Sequence, residues 1–401
     1  MHNEILDTIV VPRPNGSEAF FEVAAFIKSW LENRGFSVES HIVSLPPCML
    51  EIIGASIILL AVTGTFLSLR KKSLFALACP LILVMIMHFE FVADISLVSG
   101  IYRIEGENLL VSFHPPGMEQ EIIISSHYDS KTELFDHHSR GLLIHLGIYM
   151  FLFWAGVILF RWNSFRNGRS ASLPVDIFHK ISLLCMLLFW IFVAFAFGGG
   201  FMAEPSPGAV DNAASVAVMM LLAEEIGEIG LRKTGVTLVF FAGEELNMKG
   251  SRAYVHDRFQ KNPPIPVYNI NLEFLCQEGD YVFWKEDGNY LRRLATSPRL
   301  NDALGETVLN ITGKEMLPLS SGLTGFSDSG SFLLAGIPST TFSNSGCEEL
   351  GTGYFHSSLD NRERIVEERI QEAVTILRET LVLMETAGYN PHSSSIIGFH
   401  L

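Results

Sequence analysis

Cysteine is scarce in this chain and shows no pattern. Five are scattered through 401 residues, with Cys79 and Cys185 inside apolar runs, so neither a disulfide framework nor a zinc-finger spacing is present. Basic excess is missing as well. Twenty-eight Lys and Arg stand against 43 Asp and Glu, a formal charge of −15, which disfavours nucleic acid as a partner. Met1 to Pro47 lacks the basic start and apolar core of a signal peptide. Repeats and low-complexity tracts are absent apart from a Ser-rich C-terminal tail.

What is abundant is apolar length. Hydrophobic residues make up 48% of the chain and mean hydropathy is +0.31, too high for an ordinary soluble domain. They concentrate in four runs, 49–69, 73–93, 141–160 and 181–201, each with at most two charged or histidine residues. Each is about long enough to cross a hydrocarbon core, and four such runs together predict transmembrane helices rather than buried soluble ones. They form two hairpins, 49–93 and 141–201. The turns carry Arg70, Lys71 and Lys72 in the first, and Arg161, Arg166, Arg169 and Lys180 in the second. The first 48 residues hold six acidic against three basic residues. Positive charge marks the cytoplasmic side, so the polar remainder is expected outside the cytoplasm, with a cytoplasmic catalytic domain as the alternative.

That remainder (1–48, 94–140 and 202–401) has roughly 295 residues, enough for one α/β domain. Ser17 to Arg34 has helical periodicity ending at Gly35, and Phe36 to Val43 alternates like a strand. Residues 108–113, 121–126, 236–241, 268–274 and 338–343 read as strands, and 212–226 and 364–385 as helices. Strands alternating with helices predict a mixed, mostly parallel sheet flanked by helices.

Five short segments place acids and histidines at the ends of these elements. His127 and Asp129 share a face by the two-residue period of a strand, which suits a metal-binding imidazole with a carboxylate behind it. Asp211 stands at a turn entering a helix. Glu244 and Glu245 follow a very apolar strand, Glu273 lies near a strand end, and His356 and Asp360 close the series. Singly, each has an ordinary explanation: a hydrogen-bonded core histidine, a helix cap, solvated surface acids, a loop histidine.

Their order is the signal. His-x-Asp, Asp-Asn, Glu-Glu, Glu and His-Ser-x-x-Asp succeed one another as in the M28 (aminopeptidase/glutamate carboxypeptidase) family of zinc metallopeptidases, which this chain resembles. Gly250-Ser251-Arg252-Ala253 and Ser327-Asp328-Ser329-Gly330-Ser331-Phe332 are similar to further family segments. The resemblance covers the polar sequence and not the four apolar runs. It implies the zinc exopeptidase fold and two Zn²⁺ ions bridged by Asp211. His127 and Glu273 would complete one site, and Glu245 and His356 the other. Glu244 would be the general base, with Asp129 and Asp360 orienting His127 and His356. A cis peptide between Asp211 and Asn212 is also implied. Tyr354, Ser327, Asp328 and Phe332 are candidates for the substrate pocket.

Three positions depart from the family pattern: Glu273 where many relatives have Asp, Phe355 where some have a Tyr, and Ser329 where His is usual. The oxyanion donor is therefore open between Tyr354 and another group. The hairpins lie in the connections flanking the early strands, so the catalytic face is expected to look toward the bilayer, toward apolar or membrane-proximal peptides. Alternatives are a single-zinc glutaminyl-peptide cyclotransferase, disfavoured because His127 and Asp129 complete a second metal site, and a catalytically silent receptor or scaffold. Natural substrate, direction of exopeptidase action and oligomeric state stay open.

Overall fold

A computed structural model describes residues 2–135, 137–166, 173–261, 263–320, 325–346 and 354–386. Arg169 and the Ser-rich tail lie outside the described residues. In chain order the elements are α1 (His2–Ile9), α2 (Glu18–Glu32), β1 (Val38–Leu45), α3 (Met49–Leu69), α4 (Ser73–Phe91), β2 (Ile104–Phe113) and β3 (Gln120–His127). Next come α5 (His137–Arg166), α6 (Leu173–Gly198), α7 (Ala214–Ile229), β4 (Thr234–Phe241), α8 (Lys249–Arg258), β5 (Val267–Leu272) and β6 (Tyr281–Trp284). The last are β7 (Glu286–Gly288), β8 (Arg293–Ala295), α9 (Pro298–Thr312), β9 (Leu317–Leu319), α10 (Asp328–Leu334), β10 (Ser339–Asn344) and α11 (Glu368–Thr386).

Eight strands form one sheet in the order β1-β2-β4-β3-β5-β10-β6-β9, and β7 and β8 form a separate ribbon. The pairs β3–β4, β3–β5, β5–β10 and β6–β9 are parallel; β1–β2, β2–β4 and β6–β10 are antiparallel. The sheet is thus mixed and mostly parallel, as the alternation of strands and helices predicts. Strands β3, β4 and β5 are buried along their whole length. This explains why they read as continuous apolar runs rather than as clean alternation. Alternate side chains divide between two cores. Ile122, Ile124, Leu238 and Phe240 face α7 and α11, whereas Ile123, Val239 and Phe241 meet Tyr254 and Phe332 of α8 and α10.

Local signals account for the helix ends. Ser17 caps α2 by accepting the Phe20 N–H at 3.1 Å. Residues 209–213 kink around Asp211, so α7 starts at Ala214 instead of at Asn212. Residues 362–364 form a separate turn, so α11 starts at Glu368 rather than at Arg364.

Among the described residues, four helices are long and apolar enough to cross a membrane: Met49–Leu69, Ser73–Phe91, Ser139–Ser164 and Asp176–Gly198. The fourth ends before residue 201, the limit expected from hydropathy, because Gly198, Gly199 and Gly200 bring the backbone against neighbouring segments. A Cβ on Gly198 would sit 2.7 Å from Glu51 Cα. Gly54 likewise lies flat on the Ala194 backbone, the close approach that small residues allow between packed apolar helices. Leu59, Phe75, Tyr149 and Leu188 point outward, with at least half of each side chain exposed.

Register fixes where these helices leave the sheet. Leu45, the last residue of β1, pairs with Ile104, the first of β2, and Leu109 pairs with Phe240. His127 pairs with Phe241. The α3–α4 connection from β1 to β2 and the α5–α6 connection after β3 therefore both leave the end of the sheet that carries His127. Toward their far ends, Ser68 and His179 (3.1 Å) join the two hairpins.

Candidate metal centre

His127 ends β3 and is fully buried. Its Nδ1 lies 3.2 Å from the Asp129 carbonyl oxygen and 3.4 Å from Asp129 Oδ1. A proton held there leaves the Nε2 lone pair for a metal. Nε2 is 3.1 Å from Glu273 Oε1 and 3.2 Å from Asp211 Oδ1. The other Asp211 oxygen, Oδ2, is 2.9 Å from Nε2 of His356, which is itself 3.2 Å from Glu245 Oε1. Two donor groups result, His127–Asp211–Glu273 and Asp211–Glu245–His356, each with its ligand atoms within 4.8 Å of one another.

Each donor is held from behind. The Asp211–Asn212 peptide is cis, as expected. Asp360 accepts the N–H groups of Val210 (2.8 Å) and Asp211 (3.2 Å). Asn212 Nδ2 donates to Glu273 Oε1 (3.2 Å), and Asn271 Nδ2 donates to Glu273 Oε2 at the same distance. Beyond β4, Gly243 turns the chain at φ 70°, and Asp129 accepts the N–H groups of Glu244 and Glu245 at 3.3 and 3.1 Å. Asp129 thus anchors His127 and the Glu pair together. Glu244 Oε2 stops 4.0 Å from His127 Nε2 and belongs to neither donor group.

The expected role of Asp360 needs correction. It holds the backbone that aims Asp211, while the carboxylate facing His356 Nδ1, at 3.0 Å, is Glu133. Glu133 carries no spacing relationship to the histidine, so only the fold joins them. Arg13 was also invisible to motif reasoning. Its buried guanidinium donates to the carbonyl oxygens of Tyr128 (2.6 Å), Pro207 (2.6 Å) and Gly208 (3.0 Å), clasping the loops that carry Asp129 and Asp211. Asn15 adds a 2.6 Å bond to Asp129.

The electrostatics call for cations. Burial alone would depress the pKa of His127, but Glu273, Asp129 and Asp211 outweigh it and hold it well above the ordinary value. His356 is raised in the same way, against burial, first by Glu245. Burial pushes Glu273 up to about 7, and Glu245 stays down at about 2 because His356 and Lys131 outweigh its burial. Glu245 Oε1 is buried without a hydrogen-bond donor. Nitrogen and carboxylate donors in two groups sharing one aspartate fit a pair of divalent ions of the zinc type.

No curated protein matches the chain. Residues 195–381 match the profile of peptidase family M28. Over that stretch, a little under half of its length, the chain is similar to the family.

The matched M28 stretch contains Asp211, Glu244, Glu245, Glu273 and His356, while His127 lies before it. Among solved structures, the chain is similar to the LapA aminopeptidase of Legionella pneumophila (TM-score 0.54, 12% identity, covering 96% of this chain and 71% of that one). It is also similar to an aminopeptidase from Aneurinibacillus sp. strain AM-1 (0.54, 14%, 95% and 93%) and to a glutaminyl cyclase from Fimbriiglobus ruber (0.53, 13%, 94% and 91%). These likenesses establish the fold. The chain spans half the length of a zinc aminopeptidase from Bacillus subtilis that it also matches.

Around this site, the four pocket candidates Phe332, Ser327, Asp328 and Tyr354 are all buried. Phe332 is fully buried against Phe241 and Tyr254. Ser327 donates to the buried Asp287 at 2.6 Å, and Ser329, in place of the usual histidine, donates to the same oxygen at 2.7 Å. Asp328 is fully buried, and burial pushes its carboxyl up to about 8. The Tyr354 hydroxyl donates to Gln277, and Phe355 stacks on Phe274 at 4.3 Å. The Tyr354 hydroxyl is therefore committed to Gln277.

Proposed function

We propose that this chain is a membrane-embedded, two-zinc exopeptidase of the M28 kind, acting as an aminopeptidase on apolar or membrane-proximal peptides. The observation that carries the reading is Asp211, whose two carboxylate oxygens face His127 and His356 separately. His127 and Glu273 would hold one ion and Glu245 and His356 the other, with Asp211 between them. Bound zinc supplies Lewis acidity to the scissile carbonyl and lowers the pKa of attacking water. Glu244 takes the water proton and returns it to the leaving amine. Burial pushes the Glu244 carboxyl well above its usual range, His127 opposing and Glu245 and Glu273 adding, which brings it nearer the working pH of a general base. Asp129 keeps Glu244 beside the site through its backbone N–H.

Membrane embedding is supported by the four apolar helices, and a bilayer-facing site by their departure from the His127 end of the sheet. In this reading, residues 1–48, 94–140 and 202–401 form the peptidase domain, and 49–93 and 141–201 are membrane hairpins. With Arg70, Lys71, Lys72, Arg161, Arg166, Arg169 and Lys180 on the cytoplasmic side, the catalytic domain is extracytoplasmic. The test is a panel of peptides blocked at the amino or the carboxyl end, with and without chelator. Chelator-sensitive cleavage that needs a free amino terminus is expected. Cyclisation of amino-terminal glutamine without peptide cleavage would favour the cyclase chemistry named for the Fimbriiglobus ruber neighbour.

A further inference from the structure

His356 adopts a left-handed backbone conformation, φ 58°, which a non-glycine residue keeps only when its surroundings enforce it. The enforcing residue is Glu133. Its N–H donates to the His356 carbonyl at 2.8 Å, and its Oε1 lies 3.0 Å from His356 Nδ1. Glu133 thus bonds the backbone of His356 and sets its carboxylate at ion-pair distance from the ring. Its carboxylate is in turn held by Arg140 Nη1 at 2.8 Å and Lys131 Nζ at 3.3 Å.

Arg140 is not part of the peptidase sheet. It sits on the first turn of α5, the third apolar helix, and its Nε donates to the Ala196 carbonyl on α6 at 3.1 Å. The other end of the same hairpin closes on the same segment. A Cβ on Gly200 would lie 2.1 Å from the Thr132 carbonyl oxygen, and one on Gly199 would lie 3.0 Å from Leu134. Both ends of the hairpin therefore pin residues 132–134.

We propose that Glu133 is a positioning residue for His356 and that Arg140 holds Glu133. The His356 side of the metal centre would then depend on how the second hairpin is seated. The inference rests on the two-metal reading. An anionic group behind a ligating imidazole fixes its ring and raises its basicity, and removing such a partner typically costs about 10–100-fold in metal affinity. Lys131, bonded to Glu245 Oε2 at 2.7 Å, ties the second ligand of that side to the same cluster.

The experiment is a competitive zinc titration of the full-length apoprotein in detergent with a chromophoric chelator. Glu133→Ala and Arg140→Ala are expected to weaken one of the two sites about 10–100-fold and leave the other at wild-type affinity. Arg140→Lys should restore most of the loss, since it keeps the charge. In a His356→Ala background, Glu133→Ala should change nothing further, because the partner it positions is gone. Wild-type affinity at both sites in Glu133→Ala, or an equal loss in the His356→Ala background, would overturn the proposal. If Glu133→Ala does not fold, Arg140→Ala and Arg140→Lys carry the comparison. Uptake of a single zinc by the wild type would instead overturn the two-metal reading, while the Glu133 comparison at the His356 site still stands.

Discussion

Glu244 and Glu245 are adjacent in sequence, and both N–H groups bond Asp129, yet their side chains do different work. Glu245 sends Oε2 to Lys131 and Oε1 toward His356, whereas Glu244 belongs to neither donor group and stops 4.0 Å from His127, the place proposed for the general base. Glu244→Gln should therefore keep fold and zinc content and lower turnover about 10²–10⁴-fold. Retention of more than about a tenth of wild-type activity, outside that range, would count against the role. The histidines give a second test. Their pKa values are raised well above the ordinary value, so in the absence of metal both rings hold protons already at neutral pH, and zinc must displace them. Zinc binding to the apoprotein should release protons, and affinity should fall as pH is lowered. Calorimetry in buffers of different ionisation enthalpy checks this; equal heats in all buffers would contradict it.

Between elements, the question is which signals a sequence carries. Strands β3 and β4 were legible because they are buried on both faces and read as unbroken apolar runs. The β7–β8 ribbon was not, since Glu286-Asp287-Gly288 has the composition of a turn. Helix α9 went unnoticed although Pro298 opens it and Gly313, at φ 71°, closes it. Seven site residues were legible from their order along the chain: His127, Asp129, Asp211, Glu244, Glu245, Glu273 and His356. Glu133 and Arg13 were not, because each acts on residues far along the chain that only the folded sheet brings near. Phe332 is a core residue inside a family-like motif. Phe332→Ala should accordingly cost about 3–5 kcal/mol of stability and leave KM unchanged in the folded fraction. A raised KM at unchanged stability would return Phe332 to the pocket.

Across the whole molecule, the membrane reading and the peptidase reading meet at one end of the sheet. Strand register sends both hairpins out beside His127, and Asn247, just after the Glu pair, donates to the Glu90 carbonyl at the end of α4. In sealed vesicles with cytoplasmic side inward, external protease should cleave the peptidase domain and spare the turns at 70–72 and 161–180. Protection of the domain would reverse the sidedness. What joins all three scales is the proposed metal pair, whose two donor groups share Asp211. The most direct measurement is the zinc content of the purified full-length chain, with His127→Ala beside it. The account predicts two zinc ions per chain, falling to one in His127→Ala; a single zinc in the wild type, unchanged by His127→Ala, would contradict it.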